Sequence, residues 1–408
     1  MKKSIRRAMI SMLILTLTGA GLCLWVYKSG NYGEEKELFR EEQEAQTSEQ
    51  RTGGPDEGDE SRQGEVPGEE SESQIREGDQ GADGSNPAEA PEGEETVSEE
   101  TSLVFTGDIY LSPYVLEQYD REGISGVLSE KLLSEMRQGD VVMANEEFPF
   151  STGGEQAPDK QFTFRINPSY INVLKDLGIH VVTLANNHAL DYGPKALTDT
   201  FQTLDDAGIA YVGAGMDKAR AAKAFFVQND TKNFGFLGAS RVIPVPEWNI
   251  ENQQPGMLCT YDSAILCEAI RQTKQQCDFL TVYVHWGIER ENTPEEYQRQ
   301  LAKEYIDAGA DLIIGAHPHV LQGIEYYNGK PIVYSLGNFI FNQEISSTIL
   351  LKAVVTPENE TFLQIFPAYA AGAKTQEMSN EQAQELYRFL EEISYGIQIG
   401  EEGTVRQR

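Results

Sequence analysis

Leu312-Ile313-Ile314-Gly315-Ala316-His317-Pro318-His319 is a short apolar run that ends abruptly in two histidines. Four other stretches have the same form. Val104-Phe105-Thr106-Gly107-Asp108 runs into Gly-Asp, and Val141-Val142-Met143-Ala144-Asn145-Glu146-Glu147 runs into Asn-x-Glu. Val182-Thr183-Leu184-Ala185-Asn186-Asn187-His188 runs into Asn-Asn-His, with Asp191 three residues on, and Thr281-Val282-Tyr283-Val284-His285 runs into His. Runs this short and this rich in β-branched residues read as strands. Their polar residues fall at the carboxyl ends, the edge of an α/β sheet where ligands bind.

Further runs at 234–237, 332–334 and 349–355 have the same β character. Between the strands lie helical stretches at 168–177, 194–207 and 294–308, each with Pro at its start and closed by Gly178, Gly208 or Gly309. Proline at the first turn and glycine just past the end is the usual punctuation of a helix. Strands alternating with helices predict an α/β fold. Tyr327-Asn328-Gly329-Lys330 carries Asn-Gly, the signature of a type I′ hairpin, so part of the sheet is antiparallel. An amphipathic stretch at 380–393 predicts a helix on the outside.

Towards the N-terminus the texture changes. Lys2, Lys3, Arg6 and Arg7 precede an uncharged run from Ala8 to Tyr27. A helix of that length reaches about 30 Å, enough to cross a bilayer. The basic flank places the N-terminus in the cytoplasm and the rest of the chain outside. A cleavable signal peptide is the competing reading, with Thr18-Gly19-Ala20 as its cleavage site. The apolar run continues past that point through Cys23 to Tyr27, which favours a signal-anchor. Residues 29–100 hold 24 acidic and 5 basic residues and few apolar ones. Such a segment is expected to stay disordered and extended, as a spacer. The division expected is therefore anchor 1–28, acidic linker 29–100, folded domain 101–372, and C-terminal helix and tail 373–408.

The whole chain of 408 residues carries a formal charge of −32. That sign excludes nucleic acid as a partner, which needs concentrated Lys and Arg. Cys259, Cys267 and Cys277 lie within 19 residues of one another. Cys267 and Cys277 are expected to flank a helix, and all three to be largely buried thiols.

Singly, each polar residue at a strand end has an ordinary explanation as a turn, cap or core residue. Jointly, Asp108, Asn187, His285, His317 and His319 form an oxygen-and-nitrogen donor set. Such a set suits one or two solvent-open divalent ions (Mn, Zn or Fe) rather than a closed structural zinc. His180 opens a strand and so lies at the end away from this edge.

The stretches FTGDIYL (105–111), ANEEFPFS (144–151), LANNHALDYG (184–193), VHWGIE (284–289), GAHPHVLQG (315–323) and YSLGNFIF (334–341) resemble the CapA family of poly-γ-glutamate capsule biosynthesis proteins. That family is related to calcineurin-like metallophosphatases. The resemblance implies a four-layer sandwich of two mixed β-sheets flanked by helices. It makes Asp108, Asn187, His285, His317 and His319 metal ligands and His188 a catalytic acid, with Asp191 orienting it. Glu147 takes the role of the bridging acid, and Tyr110 stands where the phosphatases have a histidine ligand. Asn145, Asn186 and Asn338 are the implied substrate-binding residues. The implied work is metal-dependent hydrolysis of a phosphoester, or metal and polymer binding without turnover, beside integral-membrane synthase or export subunits. The expected ligand is an anionic polymer or phosphoester, and the expected place is the outer face of the cell membrane.

Overall fold

All eight apolar runs read as strands overlap strands of the computed structural model, which describes residues 100–252 and 255–408. The anchor, Cys23 and the acidic linker as far as residue 99 lie outside the described residues. Among the described residues no helix is long and apolar enough to cross a membrane.

The chain begins with β1 (Thr101–Ile109), α1 (Pro113–Glu122), α2 (Glu130–Arg137), β2 (Val141–Glu146), α3 (Ile171–Asp176), β3 (Val181–Thr183), α4 (Gly193–Ala207) and β4 (Ala210–Val212). It continues through β5 (Ala214–Gly215), α5 (Lys218–Ala221), β6 (Phe225–Gln228), β7 (Asn233–Ser240), β8 (Gly256–Met257), α6 (Ala264–Lys274), β9 (Phe279–His285), α7 (Glu296–Ala308) and β10 (Leu312–Ala316). Then come β11 (Leu321–Tyr327), β12 (Lys330–Leu336), β13 (Asn338–Ile340), β14 (Ile345–Val355), β15 (Thr361–Ala371), β16 (Lys374–Glu377), α8 (Asn380–Ile393), β17 (Ile397–Ile399) and β18 (Thr404–Gln407).

Among the described residues, one sheet has the order β17-β18-β15-β14-β1-β2-β3-β4, with β13 joined to β1 and β16 to β15. The second has the order β11-β12-β10-β9-β7-β6. Both are mixed. β1 to β4 run parallel while β14 is antiparallel to β1, and β7, β9, β10 and β12 run parallel while β11 and β6 are antiparallel.

Alternation along the strands sorts side chains into layers, since successive residues face opposite sides. Leu103, Phe105 and Met143 pack with Phe236, Phe279 and Ile314 between the two sheets. Val104, Val142 and Val182 face the other way, onto Leu132, Leu174 and Leu197 of the first helical layer. Leu280, Val282 and Ile313 face Leu266, Ile270 and Ala302 of the second. The layers are therefore helix, sheet, sheet, helix. Each sheet buries both faces, which is why the strands read as unbroken apolar runs.

Local signals act as expected at several ends. α4 has Pro194 in its first turn and closes on Gly208 at φ 71°. α8 opens with a reciprocal Ser379–Gln382 capping box. The β11–β12 hairpin turns through Asn328 and Gly329 at φ 50° and 73°. Three details differ from the sequence reading. The stretch at 168 starts as a 3₁₀ turn, Pro168–Tyr170, before α3 begins. α6 starts at Ala264, so Cys267 lies inside this helix rather than beside it. β15 gave no apolar signal, because its residues alternate between buried and partly exposed.

Gly107 sets how closely β13 approaches β1. A Cβ there would lie 1.8 Å from the Gly337 carbonyl oxygen, and Asp108 N donates to that same oxygen at 2.9 Å. The missing side chain lets β13 pair alongside β1, with Asp108 opposite Asn338.

Candidate metal centre

The parallel strands of both sheets end at one place. β1 delivers Asp108, β2 is followed by Glu147, β3 leads into Asn186-Asn187-His188, β9 ends in His285, and β10 is followed by His317 and His319. All six candidate ligands meet there. His285 Nε2 lies 2.7 Å from Asn187 Oδ1, 3.1 Å from His317 Nδ1 and 3.6 Å from Glu147 Oε1. His319 Nδ1 lies 3.4 Å from Asp108 Oδ2 and 3.9 Å from Glu147 Oε2. Ligand atoms of Glu147, His317 and His319 fall within 4.8 Å of one another.

The backbone is bent to achieve this. His317 and His319 hold φ of 97° and 59°, where side chains with a Cβ are rarely found. Each such residue costs on the order of 1–3 kcal/mol and persists only where surrounding structure imposes it.

The electrostatics call for a cation. Glu147 is fully buried, and neither carboxylate oxygen has a hydrogen-bond partner among the described residues. Burial, with Asp108 adding to it, raises its pKa well above the usual carboxylate value. Burial works against a charged ring at His319, but Glu147 and Asp108 prevail and push it up to about 10. Burial and the neighbouring His319 hold His317 low, and burial with His317 and His319 holds His285 low. The neutral His285 and His317 rings beside the orphaned Glu147 oxygens are donors of the kind a divalent ion requires, and an ion there would take over the charge pairing that His319 supplies. The residues present therefore fit the metal.

The asparagines are bound within the protein. Asn145 Nδ2 donates to Asp108 Oδ1 at 2.7 Å and lies 3.2 Å from His285 Nδ1. Asn186 donates to Asn145 Oδ1 and to the Glu146 carbonyl, and accepts from His188 N. Asn338 Oδ1 lies 2.8 Å from His319 Nδ1. All three orient other site residues; Asn145 and Asn186 are wholly buried, and Asn338 is partly exposed.

His188 stands beside the cluster. Its Nδ1 lies 2.6 Å from Asp191 Oδ2. Burial lowers its pKa to about 4 against the pull of Asp191. The ring is thus neutral at pH 7, whereas the resemblance implies an acid. The Asp191 carboxylate at 2.6 Å draws the single proton onto Nδ1, against the Lys160 ammonium 2.9 Å from the same nitrogen; with the proton on Nδ1, Nε2 is an acceptor. Tyr110 is no ligand: its ring stacks on Phe164 at 3.8 Å and meets Phe341 edge-on. His180 accepts from Val142 N at the start of β3, away from the centre.

Sequence reasoning missed Lys160 and Phe164. Both lie between β2 and α3 in a stretch without strand or helix periodicity, so nothing in the pattern marks them. It also missed Glu146, which is fully buried with no partner for either oxygen among the described residues. It sits on the face of β2 that carries Val142 and Ala144 into the helical layer.

The chain is 36% identical over 262 residues to the PGA biosynthesis protein CapA of Bacillus subtilis, a match covering 63% of this chain and 67% of that protein. It is 33% identical over 256 residues to the capsule biosynthesis protein CapA of Bacillus anthracis, covering 60% of this chain and 61% of that one. The chain thus spans about two thirds of the length of the first and less of the second. Among solved structures, a phosphatase from Mycoplasma pneumoniae shares 12% identity at a TM-score of 0.43, covering 71% of this chain and 99% of that one. The family model for the bacterial capsule synthesis protein PGA_cap matches residues 102–343, the span that holds every candidate ligand. The chain belongs to the PGA_cap family of bacterial capsule synthesis proteins.

Proposed function

We propose that the domain is a divalent-metal-dependent hydrolase of the phosphoesterase type, working outside the membrane in the making or export of poly-γ-glutamate capsule. The observation that carries this reading is Glu147, whose two buried, unpartnered oxygens lie beside His285 and His319, with a ring nitrogen of His317 within 4.8 Å of its ligand atom. Asp108, Glu147, Asn187, His285, His317 and His319 would hold one or two ions of Mn, Zn or Fe. A bound ion supplies Lewis acidity, lowering the pKa of a water and countering charge on a phosphoryl oxygen. The protein's own part is orientation and proton movement. Asn145 and Asn338 hold Asp108 and His319, and His188 moves a proton at Nε2 while Asp191 fixes the ring through Nδ1.

Asn145 also favours a second reading. By the resemblance Asn145 and Glu147 together replace the Gly-Asp of the phosphatases, and Asn145 brings an amide that donates to Asp108. A domain that binds metal and assembles the capsule machinery without turnover is compatible with that change. Metal analysis of the purified full chain, paired with hydrolysis of bis(p-nitrophenyl) phosphate, separates the two. Turnover abolished by a chelator and restored by added Mn supports the enzyme. Stoichiometric metal without turnover supports the assembly component, and no metal under any loading condition sinks both.

The acidic domain repels an acidic polymer, so contact with poly-γ-glutamate depends on the bound cation or on a synthase partner. The anchor reading, carried by the basic flank and the run 8–27, puts the domain on the outer surface. Protease added to intact cells is expected to release a soluble fragment by cutting between residues 29 and 100. A protected C-terminal domain in intact cells, or a mature N-terminus near Gly21, would overturn that arrangement.

A further inference from the structure

The segment between β2 and α3 closes over the turn that carries His188, and its contacts are concentrated on Asp191. Lys160 Nζ bonds Asp191 Oδ1 and the Asn187 carbonyl, and lies 2.9 Å from His188 Nδ1. Phe164 N donates to Asp191 Oδ2 at 2.6 Å, and Ala157 N donates to the Asp191 carbonyl at 2.7 Å. The Phe164 ring lies flat on the His188 ring, 4.0 Å between centroids and 19° between planes, with Tyr110 stacked on its other side. The Trp248 ring lies 5.3 Å from the Lys160 ammonium.

These contacts are of a kind that fixes an imidazole. Asp191 is wholly buried and would be free to rotate without partners on both oxygens. The Lys160 side chain is only 11% exposed, and its ammonium points at the Asn187–Asp191 turn rather than outward. Two of its three donors are taken by protein oxygens. It is therefore poorly placed to hold a substrate anion. Phe164 adds a flat wall that confines the His188 plane.

We propose that Lys160 and Phe164 are positioning residues, which lock Asp191 and so hold the His188 ring with Nε2 directed to the reaction site. The proposal rests on His188 as the proton-transfer residue proposed above. Its test has one readout that needs no turnover. In full-length protein labelled with ¹⁵N histidine, His188 is expected to show two well-separated ring-nitrogen signals, those of one tautomer. In Lys160→Met those signals should move towards each other as the tautomers average, with bound metal unchanged. With bis(p-nitrophenyl) phosphate, kcat should fall about 10–100-fold while KM stays within about twofold, as for a misplaced catalytic group. Phe164→Leu keeps the backbone bond to Asp191 and should show the same changes to a smaller degree; it serves if Lys160→Met does not fold. A rise in KM at unchanged kcat would make Lys160 a substrate-binding group and overturn the proposal. So would unaltered nitrogen signals. If wild type has no turnover, the hydrolase reading falls, and the nitrogen signals alone decide for or against the positioning role.

Discussion

Glu147→Gln is expected to abolish stable metal binding while leaving the metal-free protein at least as stable as wild type. The carboxylate is the one charged donor near both His317 and His319 whose oxygens are otherwise unpartnered among the described residues. Changing a residue that merely supports a metal ligand typically costs 10–100-fold in affinity, so loss of this donor should cost at least about 100-fold. The stability arm has the opposite sign because the site is costly when empty of charge compensation. Burial and Asp108 raise the Glu147 pKa, while His319 and Lys160 pull it down. A carboxyl raised in the folded state contributes stability that is complete below its unfolded pKa and is lost as pH rises through the folded one. The gain in Glu147→Gln over wild type, measured by thermal melting in chelator, should therefore grow with pH. Equal metal stoichiometry in the two proteins would remove the centre as drawn. A melting temperature well below wild type at every pH would make Glu147 a structural residue instead.

His188→Ala should keep the metal and lose turnover by about 10²–10⁴-fold, the usual weight of a positioned proton-transfer group. Asp191→Asn should give a smaller loss in the same step. Because burial holds the ring neutral to about pH 4, His188 is expected to act first as an acceptor at Nε2. Wild-type kcat/KM should then fall as pH drops towards that value, and the residual activity of His188→Ala should not follow it. Full activity in His188→Ala, with only a lowered melting temperature, would reduce Asn187-His188 to a structural turn. Activity that climbs steadily towards acid would restore the general-acid role.

The strands, the three Pro-started helices, the Asn-Gly hairpin and α8 were legible in the sequence because each depends on neighbours along the chain. Apolar runs buried on both faces, proline and glycine punctuation and a capping box are local patterns. The same holds for the candidate ligands: Asp108, Glu147, Asn187, His285, His317 and His319 each lie at or shortly past the end of a strand, and strand ends converge in this class of fold. β15 was not legible, since half of its residues face solvent.

What the sequence determined by itself is thus the α/β class, the family pattern and the types of the candidate ligands. Tertiary structure alone decided how those groups are held. Asn145, placed by the sequence reading among substrate contacts, bonds Asp108 across 37 positions of chain. Lys160 reaches Asp191 and Phe164 covers His188 from a segment with no periodicity. The charge state of the histidines was equally hidden: His188 is held low and His319 pushed up, although the two are the same residue type after similar strands. The reason is physical. Periodicity records which face of an element is buried, whereas desolvation and charge pairing depend on distances between elements, which local sequence does not encode.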